Sequence, residues 1–230
     1  MNISNLELFL QELRFKIPAS EIESSTYDTL TRFLTQEKEY RNQYRIKNLL
    51  ARSGIRQVKT FEQFDWRFNP KIPKGEILDY VHSPWIEKAY NLVIIGDAGL
   101  GKSHLASSLC YEAILKGNST AFISAFDLVS RIKKGPSPST KIEYYARIRV
   151  LCIDELGYTY HQKEDTDILF QIISKRSEMG PTILTTNLIP KQWGSIFSGP
   201  AASAILDRLS LHGKFITIEG ISYRLHTKQN

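Results

Sequence analysis

Two hydrophobic patterns divide the chain near residue 90. In the first part, apolar residues recur at steps of three and four, which is typical of helices that bury one face. The clearest series is Leu6, Leu10, Leu13 and Ile17. The pattern predicts a helical N-terminal domain over residues 1–53, interrupted at Pro18 because the residue before a proline disfavours the helical conformation. Residues 54–90 combine an aromatic stretch with breakers, Pro73 and Gly75 among them, and we expect a linker there.

From residue 91 onward, short apolar runs alternate with helical patterns. The runs predict strands at 92–95, 120–124, 150–153, 182–185 and 215–218. The helical patterns between them cover 102–116, 127–133, 142–147, 165–178 and 202–211. Because the strands are apolar on both faces and alternate with helices, they predict a parallel sheet with helices on both sides. Residues 91–230 are therefore expected to form an α/β domain.

The composition changes this picture little. Hydrophobic residues make up 42% and charged residues 23% of the 230 positions, as is ordinary for a globular protein. The apolar runs are too short to cross a bilayer, and the N-terminus lacks the pattern of a signal peptide. Cys110 and Cys152 lie among apolar neighbours and are expected to be buried free thiols. We therefore expect a cytoplasmic protein without membrane association.

The basic charge is concentrated in one window. Between Lys38 and Lys59 there are seven basic residues and one acidic residue, a surplus equal to the net charge of +6 of the whole chain. Candidate phosphate contacts on the predicted helix are Arg41, Arg45 and Arg52. A second basic group, beside a loop at 135–139, consists of Arg131, Lys133 and Lys134. Each group indicates either nucleic-acid contacts or an ordinary solvated surface.

The segment after the first predicted strand matches the phosphate-binding pattern G-x-x-x-x-G-K-[ST]. Its residues are Gly96, Asp97, Ala98, Gly99, Leu100, Gly101, Lys102 and Ser103. The glycines allow backbone N–H groups to approach phosphate oxygens, and the following helix offers its positive N-terminal end. Lys102 is expected to reach the β- and γ-phosphates, and Ser103 to ligate Mg²⁺. Since the flanking strand and helix are both predicted, the pattern indicates a site for ATP and Mg²⁺.

Polar residues follow two of the later strands. Asp154 can hold Mg²⁺ through water, and Glu155 can polarise the water that attacks ATP, so the pair predicts hydrolysis. Asn187 could position the same water or simply form a turn. Arg208 lies in an otherwise apolar helix; it is either a solvated side chain or an arginine finger that reaches a neighbouring subunit's nucleotide.

Motifs beyond the phosphate-binding loop resemble those of the IstB-type transposition helper ATPases. They include His104-Leu105-Ala106 and the segments at 58–65, 153–158, 183–188, 192–194, 205–209 and 218–225. The resemblance extends from about residue 30 to nearly the end of the chain. It implies the AAA+ fold: a P-loop NTPase core with a five-stranded parallel sheet flanked by helices, a small N-terminal all-helical domain and no C-terminal lid.

The resemblance also implies roles that the residues alone leave open. Asn187 matches the sensor-1 position, Arg208 the arginine finger and Arg224 a sensor-2-like arginine, and the nucleotide-binding stretch continues to His104. The linker would approach the nucleotide, and the N-terminal domain would join DNA binding and assembly. The family relationship implies a homo-oligomer with nucleotide at its subunit interfaces. Such an oligomer would assemble on duplex DNA with little sequence specificity and assist an insertion-sequence transposase.

One departure and two alternatives accompany this interpretation. Asp97 places an acid where the family usually has a small residue or proline, which is unfavourable near phosphates unless the side chain faces solvent. A replicative helicase loader of the DnaC/DnaI type shares the core and the Arg208 feature, whereas the segments at 192–194 and 219–220 favour transposition. A structural DNA-binding protein with an inactive site is disfavoured, because Lys102, Asp154 and Glu155 are all present.

Overall fold

The chain folds into two compact units. The computed structural model describes residues 3–157, 163–177, 179–195, 197 and 201–226. One unit ends at Asn48 and the other begins at Leu49. No helix in these described residues is long and apolar enough to cross a membrane.

The N-terminal unit is built on helix α1 (Ile3–Glu12) and on helix α2 (Tyr27–Arg52) as far as Asn48, with two short 3-10 turns between them. Its small core consists of Leu6, Leu10, Leu13, Ala19 and Leu34. The predicted interruption is confirmed but begins before Pro18, since α1 already ends at Glu12 and Arg14 takes a positive φ of 63°. The apolar periodicity of the sequence therefore forms a core within this unit.

The second unit contains the predicted five-stranded parallel sheet. Its strands are β1 (Asn91–Ile95), β2 (Thr120–Ser124), β3 (Val150–Leu156), β4 (Thr182–Thr186) and β5 (Gly213–Thr217). They lie in the order β2-β3-β4-β1-β5, and every neighbouring pair is parallel. The helices are α3 (Lys74–His82), α4 (Lys102–Leu115), α5 (Ala125–Lys133), α6 (Pro138–Arg147), α7 (Lys163–Arg176), α8 (Ala201–Leu211) and α9 (Tyr223–His226).

Both faces of the sheet are buried, which explains why the strands are apolar at successive positions. Val93 and Ile95 of β1 belong to one hydrophobic cluster, together with residues of α5, α6, α7 and α8. Leu92 and Ile94 belong to another, together with residues of α3 and α4. Side chains alternate between the two faces along a strand, so each strand supplies both clusters. The α/β prediction is confirmed by this arrangement.

The segment at 54–90 contains a helix that the sequence analysis did not predict. Pro73 precedes α3, where the missing N–H of proline costs no helical hydrogen bond, and Gly75 lies in the first turn. Ile77, Tyr80 and Trp85 are buried in the same cluster as α4. This part of the predicted linker is therefore packed onto the sheet. Breaker residues hid the helix because it starts at them rather than ending there.

Two further groups in the core carry polar atoms. Cys110 and Cys152 are buried and free, as predicted. Arg176, at the end of α7, is buried, and its Nη1 donates hydrogen bonds to the carbonyls of Tyr145, Ala146 and Ile148. Burial lowers the pKa of this guanidinium to about 9. Arg176 thus fastens the connection between α6 and β3 through main-chain acceptors.

Candidate nucleotide site

The phosphate-binding loop lies between the end of β1 and the start of α4. Gly99 and Gly101 take φ values of 82° and 93°, a region that favours glycine. A Cβ at Gly99 would lie 2.0 Å from Ser222 Oγ, and one at Gly101 would lie 2.5 Å from the Phe64 ring. The loop is therefore enclosed by the C-terminal segment on one side and the 54–90 segment on the other, with no space for larger residues.

Lys102 is directed into the loop. Its side chain is buried, and Nζ donates a 2.8 Å hydrogen bond to the main-chain oxygen of Asp97. Burial lowers the pKa of Lys102, and the nearby carboxylates of Asp154, Asp97 and Glu155 partly oppose this shift. The Asp97 residue is exposed, so its main chain serves the loop while the acid lies at the surface. This accounts for an acid within the loop.

A hydrogen-bonded group of three residues joins α4 to the neighbouring strands β3 and β4. Ser103 Oγ donates to Asp154 Oδ1 at 2.9 Å. Thr185 Oγ1 donates to the same carboxylate oxygen at 2.5 Å. Asp154 and Thr185 are both buried. Hydroxyl and carboxylate oxygens are ligands that Mg²⁺ accepts, and the pair formed by Ser103 and Asp154 fits a site for this ion.

Glu155 has an unusual backbone. Ile153 pairs with Leu184 and Leu156 with Thr186, so β3 has one extra residue relative to β4. Glu155 has a φ of 60° and is the one exposed residue of β3. Its N–H donates a 2.9 Å hydrogen bond to Thr185 Oγ1. The bulge thus turns the acid out of the sheet and into the cavity beside the loop.

That cavity has a volume of about 410 Å³. Its walls include the loop residues from Ala98 to His104, Glu155, the side chains of Phe64 and Phe68, and Tyr223 and Arg224. The N-terminus of the 14-residue α4 opens onto the loop. Positive-φ glycines, a helix N-terminus and an inward-facing lysine form a cradle for polyphosphate. The residues present therefore fit ATP with Mg²⁺.

His104, in the first turn of α4, contacts the 54–90 segment at the wall of the cavity. Its Nε2 lies 2.9 Å from the Thr60 carbonyl oxygen, and its ring contacts Phe64 edge-on at 5.2 Å. Burial lowers the pKa of the imidazole. The neutral ring can donate its Nε2 proton to Thr60, so this side chain fastens the segment at 60–64 to the nucleotide cavity. A direct contact between His104 and nucleotide stays a prediction.

A family comparison agrees with the geometry of this cavity. A family model described as IstB-like ATP binding protein matches residues 10–230. The chain belongs to this family. The ATP-binding protein of insertion sequence IS232 from Bacillus thuringiensis subsp. berliner is 36% identical over 207 residues, 88% of this chain and 83% of that protein. The corresponding protein of IS5376 from Geobacillus stearothermophilus is 34% identical, over 92% of this chain and 86% of that protein.

Solved structures place the IstB-like protein in the AAA+ fold. The structure of DnaI superposes with a TM-score of 0.59 at 19% identity, over 71% of this chain and 89% of that one. The DnaC helicase loader has a TM-score of 0.54 at 21% identity, covering 63% of this chain and 86% of its own. AMPPCP-bound DnaA from Aquifex aeolicus has a TM-score of 0.57 at 20% identity, with coverages of 73% and 52%. At these identities, the likeness concerns the fold.

Asn187 and Arg208, two of the predicted catalytic residues, do not line the cavity just described. Asn187 lines a second cavity of about 700 Å³, together with Gly96, Asp97 and Glu219. Arg208 lines neither of these two cavities. Its guanidinium lies 5.2 Å from the centre of the Phe170 ring, and Nη1 donates to the Ala204 carbonyl. The folded chain therefore does not bring Arg208 to its own phosphate-binding loop.

The predicted DNA contacts differ in how far they are already paired. Arg41 forms an ion pair with Glu37, and Arg45 donates to Asn42. Lys133 lies 2.5 Å from Asp165 and 3.6 Å from Glu164, both at the start of α7. All six candidates, including Arg52, Arg131 and Lys134, are exposed. Their DNA contacts stay predictions, and Lys133 already has acidic partners within its own chain.

Two residues of the site escaped the sequence analysis. Thr185 was assigned only to a strand, although the Thr-Thr-Asn run at the carboxyl end of a parallel strand could have indicated a polar role. Asn69 had no such signal. Its side chain hydrogen-bonds the main chain of Ile221, 152 positions away. A contact at that separation is visible only once the chain has folded.

Proposed function

We propose that this protein hydrolyses ATP and, in its ATP-bound form, assembles on duplex DNA to assist an insertion-sequence transposase. One observation carries the enzymatic part: Lys102, Ser103 and the two neighbouring acids of β3, Asp154 and Glu155, converge on the phosphate-binding loop. The relatives reported above are ATP-binding proteins of insertion sequences, which favours transposition as the setting.

Within the site, each residue has a distinct proposed task. The loop amides and Lys102 bind the β- and γ-phosphates, and Ser103 with Asp154 holds Mg²⁺. The bound ion supplies positive charge that stabilises the phosphate oxygens. Glu155 faces the cavity from the bulge and polarises the attacking water. Arg224 approaches the phosphates from the C-terminal segment, where it lines the same cavity.

Arg208 is proposed to act on the nucleotide of a neighbouring subunit. Its position on Phe170, outside both cavities, supports a role in trans rather than in its own site. Asn187 lines a cavity together with Gly96 and Asp97, at the start of the loop. The position of Arg208 away from its own loop supports a site that a second copy completes.

DNA binding is proposed to involve α2 and, in the second unit, the basic residues Arg131, Lys133 and Lys134. Arg41, Arg45 and Arg52 are exposed on this helix, and Tyr40 and Tyr44 expose their rings beside them. Exposed arginines suit phosphate contacts, which do not depend on base sequence. Residues 1–53 are accordingly proposed to bind DNA and participate in assembly, while residues 91–230 bind nucleotide. The 54–90 segment supplies part of the wall of the cavity.

The deciding experiment compares assembly on duplex and single-stranded DNA with ATP, ADP or no nucleotide. Sedimentation with labelled DNA measures both binding and oligomer size, and Lys102→Ala serves as the control that lacks the phosphate contact. ATP-dependent assembly that prefers duplex would support the proposal. Preference for single strands together with helicase binding would favour a loader of the DnaC/DnaI type. Assembly that is the same with ATP, with ADP and without nucleotide would contradict both the transposition proposal and the loader alternative.

A further inference from the structure

The extra residue in β3 decides where Glu155 points. Leu151 and Ile153 face the cluster formed with α5, α6 and α7. In a regular strand, residue 155 would face the same way, because alternate residues share a face. Instead Leu156 takes the place in that cluster, and Glu155 is exposed to the cavity. Without the bulge, this acid would face an apolar core.

Thr185 lies opposite the bulge and bonds to both acids. Its hydroxyl has a single proton, which it donates to Asp154 Oδ1, so its oxygen is left to accept the N–H of Glu155. A bulge leaves a backbone N–H without its ladder partner, and here the hydroxyl supplies that partner. The residue is fully buried, so water cannot take over either bond.

We propose that Thr185 is a positioning residue that fixes the orientation of both acids of the site, Asp154 and Glu155. One bond orients the Asp154 carboxylate toward Ser103, and the other holds the left-handed backbone that aims Glu155 into the cavity. This inference rests on the proposed function, since it assigns the two acids to Mg²⁺ and to water activation. Partners that orient ligands in this manner typically change metal affinity or activity about 10- to 100-fold when removed.

The adjacent residue offers a matched control. Thr186 is also fully buried on β4, and its hydroxyl also makes two hydrogen bonds, donating to Leu156 O and accepting from Leu188 N. Neither partner is one of the two acids. Thr186→Val therefore removes an equivalent buried hydroxyl without releasing either carboxylate, and Thr185→Val can be compared with it directly.

The test measures kcat, KM and the Mg²⁺ concentration that half-saturates ATP binding for the variants at both positions. Thr185→Val is expected to lower kcat about 10- to 100-fold and to raise the Mg²⁺ requirement about 10-fold, with a smaller change in KM. Thr185→Ser keeps the hydroxyl, so its kcat and its Mg²⁺ requirement are expected to be close to those of the wild type. Thr186→Val is expected to lower thermal stability while leaving the Mg²⁺ requirement unchanged. Thr185→Ala replaces the valine variant if that one does not fold.

Equal effects of the two valine variants, or a serine variant no better than valine, would overturn the inference. Failure of the proposed function would look different. If wild-type protein did not hydrolyse ATP, or if Glu155→Gln hydrolysed it normally, the proposed catalytic role would be wrong. In that case the Mg²⁺ titration would still decide the role of Thr185, because an unchanged requirement in Thr185→Val would refute its action on Asp154.

Discussion

Asn69 and Ile221 exchange two hydrogen bonds although they are 152 positions apart. Asn69 Nδ2 donates to the Ile221 carbonyl at 2.9 Å, and the Ile221 N–H donates to Asn69 Oδ1 at 3.0 Å. Next to them, Gly220 has a φ of 147°, and a Cβ there would lie 2.3 Å from the amide oxygen. This pair of hydrogen bonds connects the 54–90 segment to the C-terminal segment that contains Arg224. Both segments form walls of the nucleotide cavity.

Asn69→Ala is therefore expected to weaken both folding and nucleotide binding. It leaves the N–H and C=O of Ile221 to water, since Ile221 is exposed, and should cost about 0.5–1.5 kcal/mol in the free energy of unfolding for each lost hydrogen bond. Because Arg224 follows closely along the chain, affinity for ATP should also fall. Denaturant titration and a nucleotide-binding isotherm measure the two effects. Asn118→Ala is the control, since that amide bonds main-chain carbonyls at the end of α4. Reduced stability with unchanged affinity would exclude this bond from the site.

Glu155→Gln is expected to bind ATP nearly as well as wild type and to lose its turnover. The amide keeps the shape of the side chain but cannot serve as a base for the attacking water. A steady-state phosphate-release assay alongside a binding isotherm separates the two properties. Lys102→Ala provides the contrast, because it should lose binding itself. Normal hydrolysis by Glu155→Gln would remove Glu155 from the proposed role.

Much of this site is readable from sequence because it is local. The phosphate-binding loop occupies eight consecutive positions, and Asp154 and Glu155 directly follow an apolar strand. Parallel strands end at one edge of the sheet, so the predicted alternation of strands and helices already brings these pieces together. The five strands were confirmed for the same reason, with boundaries that differ by a few residues.

Other features could not be read in this way, for physical reasons. Helix α3 begins at residues that usually break helices, so helix propensity did not predict it. The bulge at Glu155 depends on a side chain of the neighbouring strand, and the orientation of Asp97 depends on Lys102 bonding its main chain. The hydrogen bonds between Asn69 and Ile221 join two segments that are 152 positions apart in the sequence. In each case the deciding contact lies outside the local sequence.

Arg208→Ala is expected to reduce ATP hydrolysis of the assembled protein, by about 10³-fold or more if it acts as an arginine finger. Mixing it with Lys102→Ala subunits should restore part of the activity, because an intact loop can then meet an intact Arg208 from a neighbour. The double variant Arg208→Ala/Lys102→Ala, mixed in the same way, should restore nothing to Arg208→Ala. The readout is phosphate release as a function of mixing ratio. Absence of rescue would argue against action across subunits.

Changing Arg41, Arg45 and Arg52 together to alanine is expected to weaken duplex binding and reduce its salt dependence. Each lost phosphate contact should bring the negative slope of log K against log salt about 0.9 closer to zero. The control is Arg147→Ala, because Arg147 is an exposed arginine that pairs with Glu143 and is none of the candidate DNA contacts. Fluorescence anisotropy at several salt concentrations gives the slopes. An unchanged slope in the triple variant would assign this face of α2 to protein contacts.

Acidification is expected to loosen the segment at 60–64 through His104. Burial lowers the pKa of its ring in the folded protein, so below the ordinary value of about 6.5 the unfolded chain takes up the proton more readily. The stabilisation is therefore present above that pH and is lost as pH falls through the folded pKa. Because the ring is only half-buried, the free energy of unfolding should change with pH by only a fraction of about 1.4 kcal/mol per pH unit. Lys59, whose charge adds to the lowering, is the nearby cation. Denaturant titrations at about pH 7.5 and pH 5.5 should show a larger loss for wild type than for His104→Gln, whose amide can still donate to Thr60. Equal losses would mean that other groups carry the pH dependence.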